Sequence, residues 1–261
     1  MKSRFRGMIE MILSIDWDYF VPEIDDLGNI ENAFFLDAVW HTRGYCIDSM
    51  LTNGHEVGFW EKIRGIVDIQ TTEINVSESH LSAYRLVELA TEPLILVDAH
   101  HDCWPFKFSK RQIDCANWVS AWIRQAHSIG VERHVIWVTP YELPQLAFSF
   151  AAGNSSLKSE IQEEVRNNIT IITLDELANY IDNRTVNTIH ACRSGCWAPP
   201  WLDKKWLAFL ESSQLEIKAM DSEPWDGLRE RWTEVDLQNA IGVDKRIKEW
   251  QKDLICVEER K

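Results

Sequence analysis

The middle of the chain reads Leu94-Ile95-Leu96-Val97-Asp98-Ala99-His100-His101-Asp102. Four apolar residues in a row predict a buried strand of a parallel sheet, because such a strand is covered on both faces. Asp98, His100 and Asp102 follow at alternate positions, so an extended backbone points them to one side. Two carboxylates and one imidazole form a ligand set that suits Mn²⁺, Fe²⁺ or Zn²⁺. This stretch therefore predicts a strand whose carboxyl end holds a metal.

Other apolar runs have the same character and alternate with segments of helical spacing. The predicted strands are Met11–Ile15, Pro93–Val97, His134–Val138, Ile169–Leu174 and Val186–Ala191, with Glu73–Val76 as a further candidate. The predicted helices are Asn29–Arg43, Ser79–Ala90, Asn117–Ile129, Leu157–Val165 and Trp201–Ser212. Alternation of this kind predicts an α/β fold, a three-layer αβα sandwich with a mainly parallel central sheet. The simplest interpretation of residues 1–261 is one domain.

Two further segments add polar residues at predicted strand ends. The first apolar run ends in Asp16-Trp17-Asp18, and the candidate strand Glu73–Val76 is followed by Ser77-Glu78-Ser79-His80. Taken alone, the two Asp residues are equally typical of a turn, and His80 of a solvated helix start. Because functional residues of open α/β sheets gather beyond the carboxyl ends of the strands, these segments are expected to meet. Four clustered carboxylates would repel one another without a cation, so together they favour a metal centre.

Composition limits the classes of partner and location. The 261 residues include 27 Lys and Arg against 41 Asp and Glu, a net charge of −14, which argues against nucleic acid as a partner. An acidic surface would attract a cationic peptide. No apolar run is long enough for a membrane helix, and Glu10 interrupts the apolar part of a signal-like N-terminus. The expectation is a cytoplasmic protein with free cysteine thiols.

The acidic motifs resemble those of the arginase/agmatinase (ureohydrolase) superfamily. Asp98-Ala99-His100-His101-Asp102 is similar to its D-A-H-x-D motif, Ser14-Ile15-Asp16-Trp17-Asp18 to its S-x-D-x-D motif, and Glu78-Ser79-His80 loosely to its G-D-H motif. In ordinary arginases S-x-D-x-D comes after D-A-H-x-D, whereas here it comes first. That permuted order resembles the UPF0489 group, which includes peptide arginases that convert arginine to ornithine in ribosomally made precursor peptides.

The resemblance implies an arginase-like fold and two Mn²⁺ ions per chain. One ion would be held by His80, Asp98, Asp102 and Asp16, and the other by Asp98, His100, Asp16 and Asp18. The implied reaction is attack of a metal-bridging hydroxide on the guanidinium carbon, which releases urea. Asp102 is the expected proton-handling residue, and His101 and His55 are candidate proton shuttles, although His101 is equally typical of packing beside the metal site.

Candidates for substrate binding are less closely tied to the motifs. Glu56 and Glu31 are candidate anchors for the guanidinium, and an exposed helix Glu is the alternative for each. Trp104 stands where ordinary arginases have an Asn that helps to hold free arginine, which favours a peptide substrate. Asn117 begins the helix after the metal loop, and Arg193 is expected to bind a carboxylate, from the peptide or from a nearby Asp. Trp17, Trp104, Trp118, Trp197 and Trp201 flank the predicted site or the Pro-rich loop, and an aromatic groove or core packing explains them.

Three rival functions remain open on the sequence. A small-molecule ureohydrolase (arginase, agmatinase or guanidino-acid hydrolase) shares every ligand and differs in its pocket. A zinc amidohydrolase of the deacetylase type needs one metal and leaves Asp18, His80 and Asp102 without a role. A non-catalytic metal-stabilised binding protein would keep the fold without turnover. The sequence does not determine the oligomeric state.

Overall fold

A parallel sheet organises the part of the chain that the structure describes. The computed structural model describes residues 10–21, 52–104, 113–140, 163–181, 184–195, 197–199 and 202–220. Its strands are β1 (Glu10–Asp16), β2 (Asp68–Ile69), β3 (Glu73–Ser77), β4 (Leu94–Val97), β5 (Val135–Val138), β6 (Ile169–Ile172), β7 (Thr185–Cys192) and β8 (Glu216–Ala219). All six predicted strands are present, with ends that differ by one or two residues.

The strands form one eight-stranded sheet in which every pairing between the described strands is parallel. The order is β6-β5-β4-β1-β7-β3-β8, and β2 also pairs with β7. β1 therefore lies between β4 and β7, with β3 on the far side of β7. This order brings the carboxyl ends of β1, β4 and β3 to one edge of the sheet, and the predicted α/β fold with a mainly parallel sheet is confirmed.

The described helices are a 3₁₀ helix (Trp17–Phe20), α1 (Phe59–Arg64), α2 (Leu81–Val87), α3 (Trp118–Ser128), α4 (Glu163–Arg166), α5 (Leu177–Tyr180) and α6 (Asp203–Ser212). The predicted helices Ser79–Ala90, Asn117–Ile129 and Trp201–Ser212 correspond to α2, α3 and α6. Asn29–Arg43 lies outside the described residues, and Leu157–Val165 is described only from residue 163. None of the described helices combines the length and hydrophobicity needed to cross a membrane.

Two hydrophobic cores cover the two faces of the sheet, because successive residues of a strand point to opposite sides. On one face Met11, Leu13 and Ile15 pack with residues of α1, α5 and α6, including Trp60 and Trp206. On the other face Ile12, Leu94 and Leu96 pack with residues of α2, α3 and α4, including Ala83, Trp122 and Val165. The helices therefore form a layer on each side of the sheet.

Two strands, two α-helices and the 3₁₀ helix were not predicted, and each lacks a strong periodic signal. All four residues of the edge strand β8 are exposed, so its sequence Glu216-Ile217-Lys218-Ala219 carries no buried face. Charged residues on an edge strand also discourage pairing with another chain. β2, α1 and α5 have six residues or fewer, which is too short for a periodic pattern to stand out.

Candidate metal centre

Three carboxylates converge on one nitrogen of His80 at the carboxyl edge of the sheet. His80 Nδ1 lies 3.2 Å from Asp16 Oδ2, 3.0 Å from Asp98 Oδ2 and 3.0 Å from Asp102 Oδ2. None of these contacts has the alignment of a hydrogen bond, and no donor among the described residues reaches Asp98 Oδ2. The four side chains are at most 8% exposed. Buried polar atoms normally have partners, so this convergence needs an explanation.

A shared cation would account for these distances. Two ligand atoms that lie about 2.1–2.2 Å from one ion and subtend 90° are about 3.0–3.1 Å apart. The separations of 3.0–3.2 Å between His80 Nδ1 and the carboxylate oxygens match this spacing. Asp16, His80 and Asp98 could hold a metal ion, and Asp102 Oδ2 lies beside them, 3.0 Å from His80 Nδ1.

A second group of ligands shares Asp98 with the first. His100 Nδ1 lies 2.8 Å from Asp18 Oδ2 and 3.8 Å from Asp98 Oδ1. Asp18, Asp98 and His100 could hold a second metal ion, and the two oxygens of Asp98 face the two groups. A carboxylate in this position can bridge two cations. The structure thus brings together the six residues that the sequence predicted as ligands.

Short local turns fix the ligands at the ends of the strands. Asp16 Oδ1 accepts a hydrogen bond from the Asp18 amide, which ends β1 and starts the 3₁₀ helix. Asp98 Oδ1 accepts a hydrogen bond from the His100 amide at 2.6 Å. Asp side chains favour such turns because they can bond to a backbone N–H two residues later. The D-x-D and D-A-H spacings therefore position the ligands as well as supplying them.

Burial and mutual repulsion shift the pKa values of the centre in the metal-free chain. Burial and the neighbouring Asp18 raise the pKa of Asp16 to about 6. Burial together with Asp102, Asp18 and Asp16 raises the pKa of Asp98 well above its usual value. Burial alone would lower the pKa of His100, but Asp18 and Asp98 outweigh it and raise the pKa to about 10. A cluster that holds protons this strongly favours a cation in their place.

Asp102 has an unusual backbone conformation that the neighbouring helix supports. Its φ is +48°, in the left-handed region that Asp tolerates better than most residues. Its carbonyl accepts a hydrogen bond from the Val119 amide in the first turn of α3. The Trp118 indole N–H donates to Asp102 Oδ2 at 2.5 Å, which orients the carboxylate. Strained backbone of this kind is common where a side chain must be aimed.

Arg193 ties the segment before His80 to two other elements. Its guanidinium lies 2.9 Å from Glu78 Oε1 and 2.7 Å from Asp203 Oδ1, at the start of α6. The Arg193 side chain is only 2% exposed, so it binds carboxylates of the protein itself. A Cβ at Gly195 would overlap Glu78 Oε1, so only glycine allows this approach. Of the two carboxylate partners expected for Arg193, from the peptide or from the protein, the structure shows the one from the protein.

His101, Trp104 and Asn117 lie in or beside the loop that carries Asp102. His101 is buried, its Nδ1 accepts a hydrogen bond from the Cys103 amide, and its ring lies 5.3 Å from Trp104 and 5.8 Å from Trp137. His101 therefore packs beside the candidate metal centre, which is one of the two roles that the sequence analysis expected for it. Asn117 is buried at the start of α3, where its Oδ1 accepts a hydrogen bond from the Asp114 amide.

Glu56 and His55 lie in the turn before α1. Glu56 accepts a hydrogen bond from Thr52 and lies 3.6 Å from Lys205 of α6, while its buried Oε2 has no hydrogen-bond partner among the described residues. His55 is exposed, with its ring 6.1 Å from that of Tyr19. His55 lines a cavity of about 640 Å³ together with Tyr19, Thr139 and other residues. Glu31 lies outside the described residues.

The five tryptophans near the motifs have different environments. Trp17 is buried in the core against Trp206, and Trp118 is buried beneath Asp102. Trp104 and Trp197 are half-buried, and Trp197 packs against the ring of His100 at 4.8 Å. Trp201 lies outside the described residues. Core packing is therefore the role of two of these residues, and two lie at the rim of the centre.

Sequence reasoning missed the residues that support the ligands from behind. Ser14 Oγ lies 2.8 Å from His80 Nε2 and 3.0 Å from His190 Nδ1, and Ser77 Oγ lies 2.8 Å from His190 Nε2. All four residues are buried, and burial together with His80 lowers the pKa of His190 well below its usual value. A histidine inside the apolar run Val186–Ala191 is the signal that could have identified this network, since a buried polar residue requires partners.

Comparison with protein-family models, with curated proteins and with solved structures finds no match to this chain. The functional argument therefore depends on the residues of the centre and their geometry.

Proposed function

We propose that this protein is a two-metal hydrolase that converts arginine side chains of a precursor peptide to ornithine, with release of urea. The observation that carries the proposal is the position of Asp98 between two carboxylate–imidazole groups, which is how a two-metal centre shares a ligand. The resemblance of the D-A-H-x-D and S-x-D-x-D motifs to those of ureohydrolases supplies the reaction type. Mn²⁺ is the proposed metal, two ions per chain.

The donor set fits such ions. Four carboxylates and two imidazoles suit a borderline or hard divalent metal, and the carboxylates balance its charge. Two divalent cations would supply a strong nucleophile from water at neutral pH. His80, Asp16, Asp98 and Asp102 would hold one ion, and Asp98, Asp16, Asp18 and His100 the other, as the motifs imply.

The chain itself must orient the guanidinium and handle the protons. Water adds to the guanidinium carbon, the bond to Nε breaks, and Nε leaves as the ornithine amine after gaining a proton. Asp102 is the proposed proton carrier, since its Oδ2 is aimed into the centre by the Trp118 indole. Glu56 is the proposed guanidinium anchor among the described residues, because its buried Oε2 can still accept a hydrogen bond.

The exposure of the ligands supports access from one side. The His100 side chain is 28% exposed, whereas the other five ligands are at most 8% exposed. Trp197 packs against His100, and Trp104 packs against His101 in the same loop. Half-buried indoles at this opening would pack against a peptide and form cation–π contacts with arginine. The net charge of −14 would attract a cationic peptide, which we expect to meet the protein in the cytoplasm.

Urea release tests this function directly. The Mn²⁺-loaded full chain is incubated with free L-arginine, agmatine or an arginine-containing peptide, with Asp98→Asn as the matched inactive control. Urea and ornithine from the peptide alone would support the proposal. Urea from free arginine or agmatine at the same rate would assign a small-molecule ureohydrolase. Two bound metals without urea from any substrate would favour a binding protein, and one bound metal would favour the deacetylase type.

A further inference from the structure

A chain of buried hydrogen bonds runs across three strands behind His80. The register places Ser14 of β1 beside His190 of β7, and Asn75 of β3 beside the same His190. Ser77, two residues after Asn75, points to the same face and reaches the other ring nitrogen of His190. The chain runs from Ser77 through His190 and Ser14 to His80, with contacts of 2.8, 3.0 and 2.8 Å.

One carbonyl group fixes the direction of every hydrogen bond in this chain. The Ser77 hydroxyl lies 2.8 Å from the carbonyl oxygen of Ser79, which can only accept, so Ser77 donates its proton there. Ser77 Oγ must then accept a proton from His190 Nε2. His190 is fully buried, and no carboxylate among the described residues pairs with it, so it is neutral and its Nδ1 is an acceptor.

The direction continues to the metal ligand. Because His190 Nδ1 accepts, the Ser14 hydroxyl donates to it. Ser14 Oγ then accepts a hydrogen bond from Nε2 of His80, so the His80 proton lies on Nε2. His80 Nδ1, which faces Asp16, Asp98 and Asp102, is left with its lone pair for a cation.

We propose that Ser77, His190 and Ser14 are positioning residues that fix the proton of His80 on Nε2 and so present Nδ1 as a metal ligand. This inference rests on the proposed metal centre. Partners of this kind behind a metal-bound histidine typically change metal affinity by about 10–100-fold when they are removed. Ser14 contacts His80 directly, and His190 contacts Ser14, so the hydrogen bonds that support His80 extend one residue further than its direct partner.

Removal of the Ser77 hydroxyl should reverse the direction of the hydrogen bonds between His190, Ser14 and His80. In Ser77→Ala the His190 Nε2 proton loses its acceptor, so the proton is expected to move to Nδ1 and to be donated to Ser14. Ser14 would then donate to His80 Nε2, and a neutral His80 would carry its proton on Nδ1, where it opposes a cation. The change removes one oxygen atom and does not touch His80.

Nitrogen NMR of the histidine rings tests the chain in the metal-free full-length protein. In the wild type, His190 is expected as the neutral tautomer with its proton on Nε2, and His80 with a proton on Nε2. In Ser77→Ala, His190 is expected with its proton on Nδ1. A wild-type His190 that carries its proton on Nδ1, or a Ser77→Ala protein with an unchanged His190, would overturn the proposal. If the wild type binds no Mn²⁺, the proposed metal centre is refuted. The tautomers of His190 in the two proteins would still test the direction of the hydrogen bonds.

Mn²⁺ affinity measured by calorimetry gives the second readout. Ser77→Ala is expected to bind the ion at the His80 group about 10-fold more weakly than the wild type. Ser213→Ala is the matched control, because Ser213 is equally buried but its hydroxyl bonds to Leu210 at the end of α6. Circular dichroism confirms that both variants fold. Equal affinity of Ser77→Ala and Ser213→Ala would contradict the role of the chain.

Discussion

At the scale of single residues, Asp98 links the two halves of the centre. Its Oδ2 faces His80 and its Oδ1 faces His100, so a change at this one side chain affects both groups. Among the described contacts between these aspartates and histidine, Asp18 takes part only in the contact with His100. The two aspartates therefore have separable effects on metal content.

Metal counting by mass spectrometry distinguishes them. We expect about two Mn²⁺ per wild-type chain, loss of both in Asp98→Asn, and retention of one in Asp18→Asn, because the Asn amide offers one neutral oxygen in place of a charged carboxylate. Asp68→Asn, an exposed aspartate of β2, is the control and should keep both ions. Equal metal content in Asp98→Asn and the wild type would refute the shared ligand.

Metal binding should release protons and strengthen as the pH rises. Burial would lower the pKa of His80, but Asp102, Asp16 and Asp98 raise it well above its usual value, and the pKa of His100 is about 10. The His100 imidazole is therefore protonated at pH 7 without metal, and it must lose this proton to bind a metal ion. Loading of the site at His100 should strengthen by roughly 10-fold per pH unit near neutrality. Calorimetry in buffers of different ionisation enthalpy counts the protons, and zero release at pH 7 would contradict this prediction.

At the scale of elements, Arg193 joins the end of β7 to the loop before α2 and to the start of α6. Glu78 precedes His80 by two residues, so the ion pair with Arg193 holds the segment that carries a ligand. The loop also starts α2 in a defined way, because the Ser79 hydroxyl accepts a hydrogen bond from the Leu81 amide. Ligand geometry at His80 therefore depends on contacts outside the centre.

Removal of the guanidinium should be costly. Arg193→Met leaves the Glu78 and Asp203 carboxylates without their cation, which we expect to lower the free energy of unfolding by about 3 kcal/mol. Lys62→Met breaks the exposed ion pair with Asp175 and should cost less than about 1 kcal/mol. Urea denaturation measures both variants. A similar small effect for the two would show that the buried network contributes little to stability.

At the scale of the whole molecule, two hydrophobic cores support a cluster of like charges at the edge of the sheet. Without a cation the cluster destabilises the fold, because the pKa of Asp16 is raised from 3.8 to about 6. The folded chain binds this proton more tightly than the unfolded chain. The corresponding contribution to stability is therefore complete below pH 3.8 and is lost as the pH rises through about 6.

Mn²⁺ should reverse this loss. At a free concentration 100 times the dissociation constant, one ion adds about 2.7 kcal/mol, or about 5–10 °C in Tm for a chain of this size. We expect the metal-free wild type to lose stability relative to metal-free Asp98→Asn as the pH rises through about 6, and Mn²⁺ to stabilise only the wild type. Thermal unfolding followed by circular dichroism measures both effects. A metal-free wild type that stays as stable as Asp98→Asn at pH 8 would contradict the expected repulsion between the clustered carboxylates.

Local sequence was sufficient to predict the strands that carry the candidate centre and the six residues that meet there. Continuous apolar runs predicted β1 and β4, and Asp16, Asp18, Asp98, His100 and Asp102 follow them directly. Their turns depend on residues only two positions apart, which is why the sequence determines them. His80 was predicted from its place at a strand end, and the structure brings it to the carboxylates.

The partners of these residues depend on the order of the strands, which local patterns do not encode. β7 lies between β1 and β3 although it follows both by more than a hundred residues, and this places His190 between Ser14 and Ser77. The same order brings Arg193 to Glu78. The sequence by itself determined the α/β pattern and the set of candidate ligands, because both arise from short-range periodicity and turns. Only the tertiary structure decided which buried polar groups meet behind the ligands, because those contacts form between segments that are distant along the chain.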